Sequence, residues 1–207
     1  MLGTRDAETF ARCIGVGGVA VFPADTVYGL ACEPQNREAV DRLYRVKGRP
    51  PDRPAAVMFF DPDLAVAALP EVGSRTRRAL ERLLPGGLTV LLPNPLRRYP
   101  LACGPDPHTL GLRVPRLDGE LAALGAMRWP VLQSSANEAG GIDAHRLDEV
   151  PADIRREADL VLDGGELMGT PSTVVDLRRF ELDGVWAVLR AGAMPESSID
   201  RAAAEVA

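Results

Sequence analysis

Val19-Ala20-Val21-Phe22-Pro23-Ala24-Asp25-Thr26-Val27-Tyr28-Gly29-Leu30 begins with a short apolar run, bounded by Gly17-Gly18 on one side and Pro23 on the other. Such a run predicts a strand buried on both faces, the kind that builds α/β sheets. It delivers Asp25, Thr26 and Tyr28 to a sheet edge. Ligands gather at strand ends in open α/β sheets, so this polar loop is a site candidate. The other reading is a turn in which Asp25 and Thr26 cap local backbone.

Upstream, Thr4 to Ile14 reads as a helix with Thr4 as N-cap and Phe10, Cys13 and Ile14 on one buried face. Downstream, Asn36 is expected to cap a helix whose inner stripe is Ala39, Val40, Leu43 and Tyr44. That helix runs into Val46-Lys47-Gly48-Arg49-Pro50-Pro51-Asp52-Arg53-Pro54. Three prolines remove backbone donors and force a loop. Lys47 is the only lysine among 24 basic residues. A stiff loop bearing Lys47, Arg49 and Arg53 can clamp phosphate or carboxylate, since a point charge and a planar fork complement each other. The same residues can instead form an exposed basic turn at a helix C-terminus, with Lys47 solvated.

Further strands are predicted at Ala55–Phe60, Leu88–Leu92, Thr109–Pro115, Pro130–Gln133, Ala158–Leu162, Pro171–Leu177 and Trp186–Leu189. Helices are predicted near 74–84 and 118–127, with a short Ala-rich one after Phe60 and a weak one from Glu196. Residues 93–107 read as a proline-rich surface loop. No repeat or linker divides the chain, so one domain over 1–207 is expected.

With 207 residues, 46% hydrophobic and 26% charged, the chain can bury a sizeable core, built from aliphatics because aromatics are only 5%. A net charge of -5 argues against bulk electrostatic binding of duplex nucleic acid. Three scattered cysteines and two histidines suit neither a zinc site nor a disulfide framework, and point to a reducing cytoplasm. The N-terminus lacks the apolar run of a signal peptide, and no stretch approaches the roughly 20 apolar residues that span a bilayer.

Polar clusters stand where strands end: Thr26, Lys47 with Arg49, Arg113, Ser135 with Asn137, Ser172 and Arg190. Arg113 interrupts an apolar strand and must find an anion, from a ligand or an internal carboxylate. If the clusters converge, the groove has donors and hydroxyls but no nucleophile–base pair. That suits an anionic nucleotide and catalysis by positioning and electrostatics. A triad hydrolase, a Walker loop and a dinucleotide fingerprint are absent from the sequence.

The motifs Phe22-Pro23-Ala24-Asp25-Thr26-Val27-Tyr28-Gly29-Leu30, Lys47-Gly48-Arg49-Pro50, Pro85-Gly86-Gly87-Leu88-Thr89, Leu112-Arg113-Val114-Pro115, Ser134-Ser135-Ala136-Asn137, Asp163-Gly164-Gly165, Ser172-Thr173-Val174 and Leu189-Arg190-Ala191-Gly192 occur in one order. As an ordered set they resemble the YrdC/Sua5 family of L-threonylcarbamoyladenylate synthases over about residues 17–192. The resemblance implies a single-domain α/β fold: a twisted open mixed sheet with flanking helices and a positively lined concave cleft. It implies a nucleotidyltransferase that converts L-threonine, bicarbonate and ATP into threonylcarbamoyl-adenylate and pyrophosphate. That product serves the t6A modification of tRNAs reading ANN codons, which a separate threonylcarbamoyl transferase completes.

By motif, Lys47 and Arg49 are the implied catalytic pair and hold ATP phosphates with Arg53, Ser135, Asn137 and Arg190, with Thr109 near the nucleotide. Thr26, Arg113, Gln133 and Ser172 are implied for L-threonine. Mg²⁺ accompanies ATP, and no acidic cluster in the sequence marks its protein ligand. The chain resembles the short form, without an extra C-terminal domain. It departs from the family at Ala24, where a threonine is usual, at Met58, often a histidine in long members, and at Ala191, usually proline. Two rival readings are a carbamoyl-adenylate-forming domain of the hydrogenase-maturation kind and a non-catalytic module that holds tRNA or another RNA in the cleft. The accompanying acylphosphatase and zinc-finger-like segments of the first are missing, and net acidity with few aromatics counts against the second.

Overall fold

The computed structural model describes residues 1–206. In chain order the elements are α1 (Thr4–Gly15), β1 (Ala20–Ala24), β2 (Val27–Cys32), α2 (Arg37–Lys47), β3 (Ala56–Met58), α3 (Pro62–Ala68), α4 (Ser74–Leu83), β4 (Leu88–Pro93) and β5 (Thr109–Arg113). They continue with a 3₁₀ segment (Gly119–Ala126), β6 (Val131–Ser135), a second 3₁₀ turn (Leu147–Glu149), α5 (Ala152–Glu157), β7 (Leu160–Val161), β8 (Thr173–Asp176), α6 (Phe180–Asp183), β9 (Ala187–Arg190) and α7 (Glu196–Ala204). All nine strands join one mixed sheet in the order β7-β1-β2-β6-β3-β5-β4-β8-β9. Pairs β1/β7, β3/β5 and β4/β8 are parallel and the rest antiparallel.

The opening apolar run is indeed buried on both faces: every residue of β1 and β2 is buried. It does not end at a sheet edge. Asp25-Thr26 forms a two-residue hairpin connection, with Ala24 opposite Val27, and β2 continues into the sheet interior. Asp25 adopts φ 56, a left-handed conformation that aspartate tolerates better than most residues.

Alternate residues along a strand face opposite sides of the sheet, and two cores form accordingly. On one side Val21, Leu30, Val57, Val90, Leu112 and Leu132 pack under α2, α4 and α7 through Leu43, Leu80, Leu83 and Ile199. On the other, Phe22, Ala31, Met58 and Val131 pack against Phe10 and Ile14 of α1 and Leu124 of the 3₁₀ segment. The Phe10 and Phe22 rings stack with centroids 5.1 Å apart. Farther along the strands, this second face lines a cavity.

Several local expectations need correction. Gly3, not Thr4, caps α1, because the Asp6 carboxylate reaches back to accept the Gly3 N–H at 2.8 Å. Asn36 caps α2 as expected, accepting from the Ala39 N–H at 3.1 Å. The segment near 118–127 is 3₁₀, and strand 158–162 shrinks to two residues. Helices α5 and α6 were not expected; at six and four residues they are too short to show periodicity. No described helix is long and apolar enough to cross a membrane.

Candidate ligand cavity

Strand register assembles the cavity. One row across the sheet runs Gln133, Ala56, Gly111, Leu91; the next runs Arg113, Thr89, Val174, Arg190. Small residues at Ala56 and Gly111 leave room above the sheet, and the rows floor a cavity of about 470 Å³. That volume suits a small-molecule ligand. Ser135, Thr109, Ser172, Arg49 and Asp143 join the lining.

Arg113 meets its anion inside the protein. Its Nη2 pairs with the Asp25 carboxylate and donates to the Ala24 carbonyl at 2.8 Å and to Thr26 Oγ1 at 2.6 Å. The tight hairpin turn therefore exists in part to place three acceptors around one guanidinium. Asp25 also accepts the N–H groups of Thr26 at 2.8 Å and Arg116 at 3.0 Å. Burial pushes the Asp25 carboxyl up and the Arg113 guanidinium down, while their mutual attraction opposes both shifts. The internal partner does not satisfy the arginine completely. Nε of Arg113, like Nε of Arg49, is buried without an acceptor among the described residues. Both residues line the cavity.

Lys47 is where the expectation of a solvated basic loop fails. It is the last residue of α2 and only 2% exposed. Gly48, at φ 62, turns the chain away, and the ammonium points inward. Nζ donates to Ser135 O at 2.6 Å, Asn137 O at 2.8 Å and Asn137 Oδ1 at 2.6 Å. Its own carbonyl accepts the Ala139 N–H at 3.1 Å. Lys47 thus pins the turn after β6 from behind, and lies outside the cavity lining. Burial first, then Arg49, lowers its pKa to about 8, while the Asp143 carboxylate favours the charged form. Ser135 Oγ donates to Asn137 Oδ1 at 2.7 Å, and Asn137 Nδ2 to Gly141 O at 2.6 Å.

The remaining predicted residues divide. Ser172 shares a 2.9 Å hydrogen bond with Thr89, and Arg190 donates to Ser172 O at 2.7 Å. Arg49 is anchored by donation to Pro54 O at 2.7 Å. Thr109 donates to Asp106 at 2.6 Å and accepts from Arg178 at 3.2 Å. So Arg49, Thr109, Arg113, Gln133, Ser135, Ser172 and Arg190 converge on the cavity. Lys47, Thr26 and Asn137 are buried behind its wall, and Arg53 is exposed outside it.

Thr89, Asp106 and Asp143 were not singled out beforehand, although Thr89 closes one of the quoted motifs; only register reveals that it faces Arg113. Two of the three substituted positions lie in the core, away from the lining. Ala24 and Met58 are fully buried in the α1-side core, outside the cavity lining. Among the described residues no histidine lines the cavity, and the thiol that does, Cys103, is pushed up by burial and donates to backbone carbonyls, which disfavours the nucleophilic thiolate. Among the described residues no three His, Cys, Asp or Glu side chains form a ready-made metal cage.

A family model named Sua5_yciO_yrdC, described as "Telomere recombination", matches residues 12–192. The chain belongs to the Sua5/YciO/YrdC family. One relative is the Pyrococcus abyssi (strain GE5 / Orsay) protein named threonylcarbamoyl-AMP synthase, 28% identical over 197 residues, covering 95% of this chain and 56% of that protein. The chain therefore spans a little over half the length of the curated relatives it matches. P. abyssi Sua5 complexed with L-threonine shares its fold at a TM-score of 0.82 and 27% identity, over 98% of this chain and 58% of that one. E. coli YciO aligns at a TM-score of 0.75 and 25% identity, over 96% of this chain and 95% of its own. These members of the Sua5/YciO/YrdC family share the mixed sheet with flanking helices found here.

Proposed function

We propose that this Sua5/YciO/YrdC chain condenses L-threonine, bicarbonate and ATP into L-threonylcarbamoyl-AMP and pyrophosphate, for t6A formation in tRNA. One observation carries the reading: Arg49, Thr109, Arg113, Gln133, Ser135, Ser172 and Arg190 share a single cavity of small-molecule size, in which arginines and hydroxyls meet. Its family membership, the name of the P. abyssi relative and the L-threonine complex of P. abyssi Sua5 support it.

In this reading the threonine carboxylate lies against Arg113, whose Nε awaits an acceptor, with Gln133 and Ser172 at its sides. The threonine amine adds to the carbon of bicarbonate, water leaves, and a carbamate forms. A carbamate oxygen then attacks the α-phosphorus of ATP, and the α–β bridging oxygen departs with pyrophosphate. Arg49 and Arg190 neutralise the phosphates, Ser135 and Thr109 orient the nucleotide, and Lys47 with Asn137 fixes the turn that presents Ser135. Catalysis is by proximity and charge neutralisation. Mg²⁺ enters with ATP as part of the substrate and spreads the charge of the leaving group. The product passes to a separate transferase in the cytoplasm.

The test is pyrophosphate release by purified protein supplied with ATP, Mg²⁺ and bicarbonate, with L-threonine present, absent or replaced by L-serine. Threonine-dependent release is expected. Release that ignores the amino acid, or no release at all, overturns the assignment.

A further inference from the structure

The loop 138–146 leaves the Lys47-pinned turn and rejoins the sheet at Ala144, whose carbonyl accepts the Tyr28 N–H at 2.8 Å. Between these fixed points Asp143 lines the cavity, only partly exposed. The other lining carboxylate, Asp106, is already engaged, accepting the Thr109 hydroxyl at 2.6 Å and the His108 N–H at 3.1 Å. Asp143 has no hydrogen-bond or ion-pair partner among the described residues, whereas its neighbours in the loop, Gly141, Ala144 and His145, all make polar contacts. Its charge reaches both Lys47 and Arg113 and favours their protonated forms, so it sits among the cations of the site while paired with none of them.

An unpaired carboxylate in a cavity for a triphosphate repels its ligand unless a cation lies between them. Mg²⁺ supplies that cation readily: it takes oxygen ligands, keeps several waters, and is commonly held by one or two carboxylates together with substrate phosphates. We propose that Asp143 is the protein ligand, direct or through one water, of the divalent cation that enters with the nucleotide. Ser135, the last residue of β6, lines the same cavity and is left to the phosphates. This rests on the nucleotide reading above and adds to it the metal contact that the motifs left unassigned.

The experiment is calorimetric titration of the full chain with ATP, in Mg²⁺ and in EDTA, for the unaltered protein and for Asp143→Asn. The unaltered protein is expected to bind ATP more tightly with Mg²⁺. The substitution should cut that gain by about tenfold or more, while metal-free ATP binds as well as before or better, because a like charge is gone. Mn²⁺ provides a second readout: the paramagnetic signal of a protein–Mn²⁺–ATP complex, recorded without threonine, should weaken in the variant. A variant that keeps the full Mg²⁺ gain overturns the proposal. So does one that instead weakens L-threonine binding in the absence of nucleotide, which would give the carboxylate to the substrate amine. If the unaltered protein binds no ATP in either condition, the nucleotide reading falls and takes this inference with it; intact ATP binding with an unchanged Mg²⁺ gain sinks this inference alone. The substitution is isosteric at an unpaired position, and superimposable melting curves by circular dichroism confirm that the fold is retained.

Discussion

Lys47 shows how far a residue can be from what its neighbours in sequence suggest. Flanked by glycine, arginine and prolines, it reads as part of an exposed clamp that could be removed without harm to the fold. In space it is a buried tie whose ammonium holds Ser135 and Asn137. Lys47→Met keeps the bulk but strands three oxygens, and about 2–4 kcal/mol of stability should be lost, measured by urea unfolding. A loss below about 0.5 kcal/mol, typical of surface changes, would show the tie to be dispensable. The pH dependence has a definite sign. The folded-state pKa of about 8 lies below the roughly 10.4 of an exposed lysine. Between those values the unfolded chain binds more protons, so the penalty of the buried ammonium acts below about pH 8 and is relieved as pH rises. The stability of the unaltered protein should therefore climb relative to Lys47→Met between about pH 8 and 10; a gap that narrows would contradict it. The need of Arg113 for an anion was legible from its place in an apolar strand. That Asp25 supplies it was not, because the pairing depends on a hairpin turn with a non-glycine residue at positive φ.

Elements were legible where periodicity was long. Helices α1, α2 and α4 and strands β1, β4 and β5 fall close to their expected places, since each shows a stripe or an apolar run bounded by Gly or Pro. Strand β2 was hidden inside a segment read as loop, and its glycine explains part of the disguise. A Cβ on Gly29 would lie 2.9 Å from Gln133 Nε2 and 3.1 Å from the Phe22 ring. Gly192, just beyond β9, is more constrained: a Cβ there would lie 2.2 Å from Pro171 O and 2.6 Å from the Thr173 N. A flexible amide can swing away, whereas backbone cannot. Gly29→Ala should cost about 1–2 kcal/mol and Gly192→Ala more than about 2, compared by denaturant midpoints. Gly29→Ala should also weaken L-threonine binding by displacing Gln133, and equal stability losses would show that the strand ends yield as easily as side chains do.

Over the whole molecule, a net charge of -5 coexists with a cavity lined by Arg49, Arg113 and Arg190. Because Arg113 is neutralised by Asp25, the attraction for a polyanion rests on Arg49 and Arg190, which solvent ions reach. ATP affinity should therefore fall severalfold between about 50 and 300 mM salt, read by calorimetry; salt-independent binding would move the recognition to buried donors. The family and the set of converging residues were legible as an ordered series of motifs, whereas their depth in the protein was not, because burial is a property of the sheet. Parallel pairing joins Thr89 of β4 to Val174 of β8, and this shapes how the molecule is made. As the polypeptide leaves the ribosome, β4 and β5 exist long before β8, so β4 waits as an open edge of unpaired amides and carbonyls. Ligand cannot template that half-built sheet, since Ser172 and Arg190 are translated after it. The nascent chain crosses this interval without ligand, and there, more than in the finished protein, its open strand edge invites self-association.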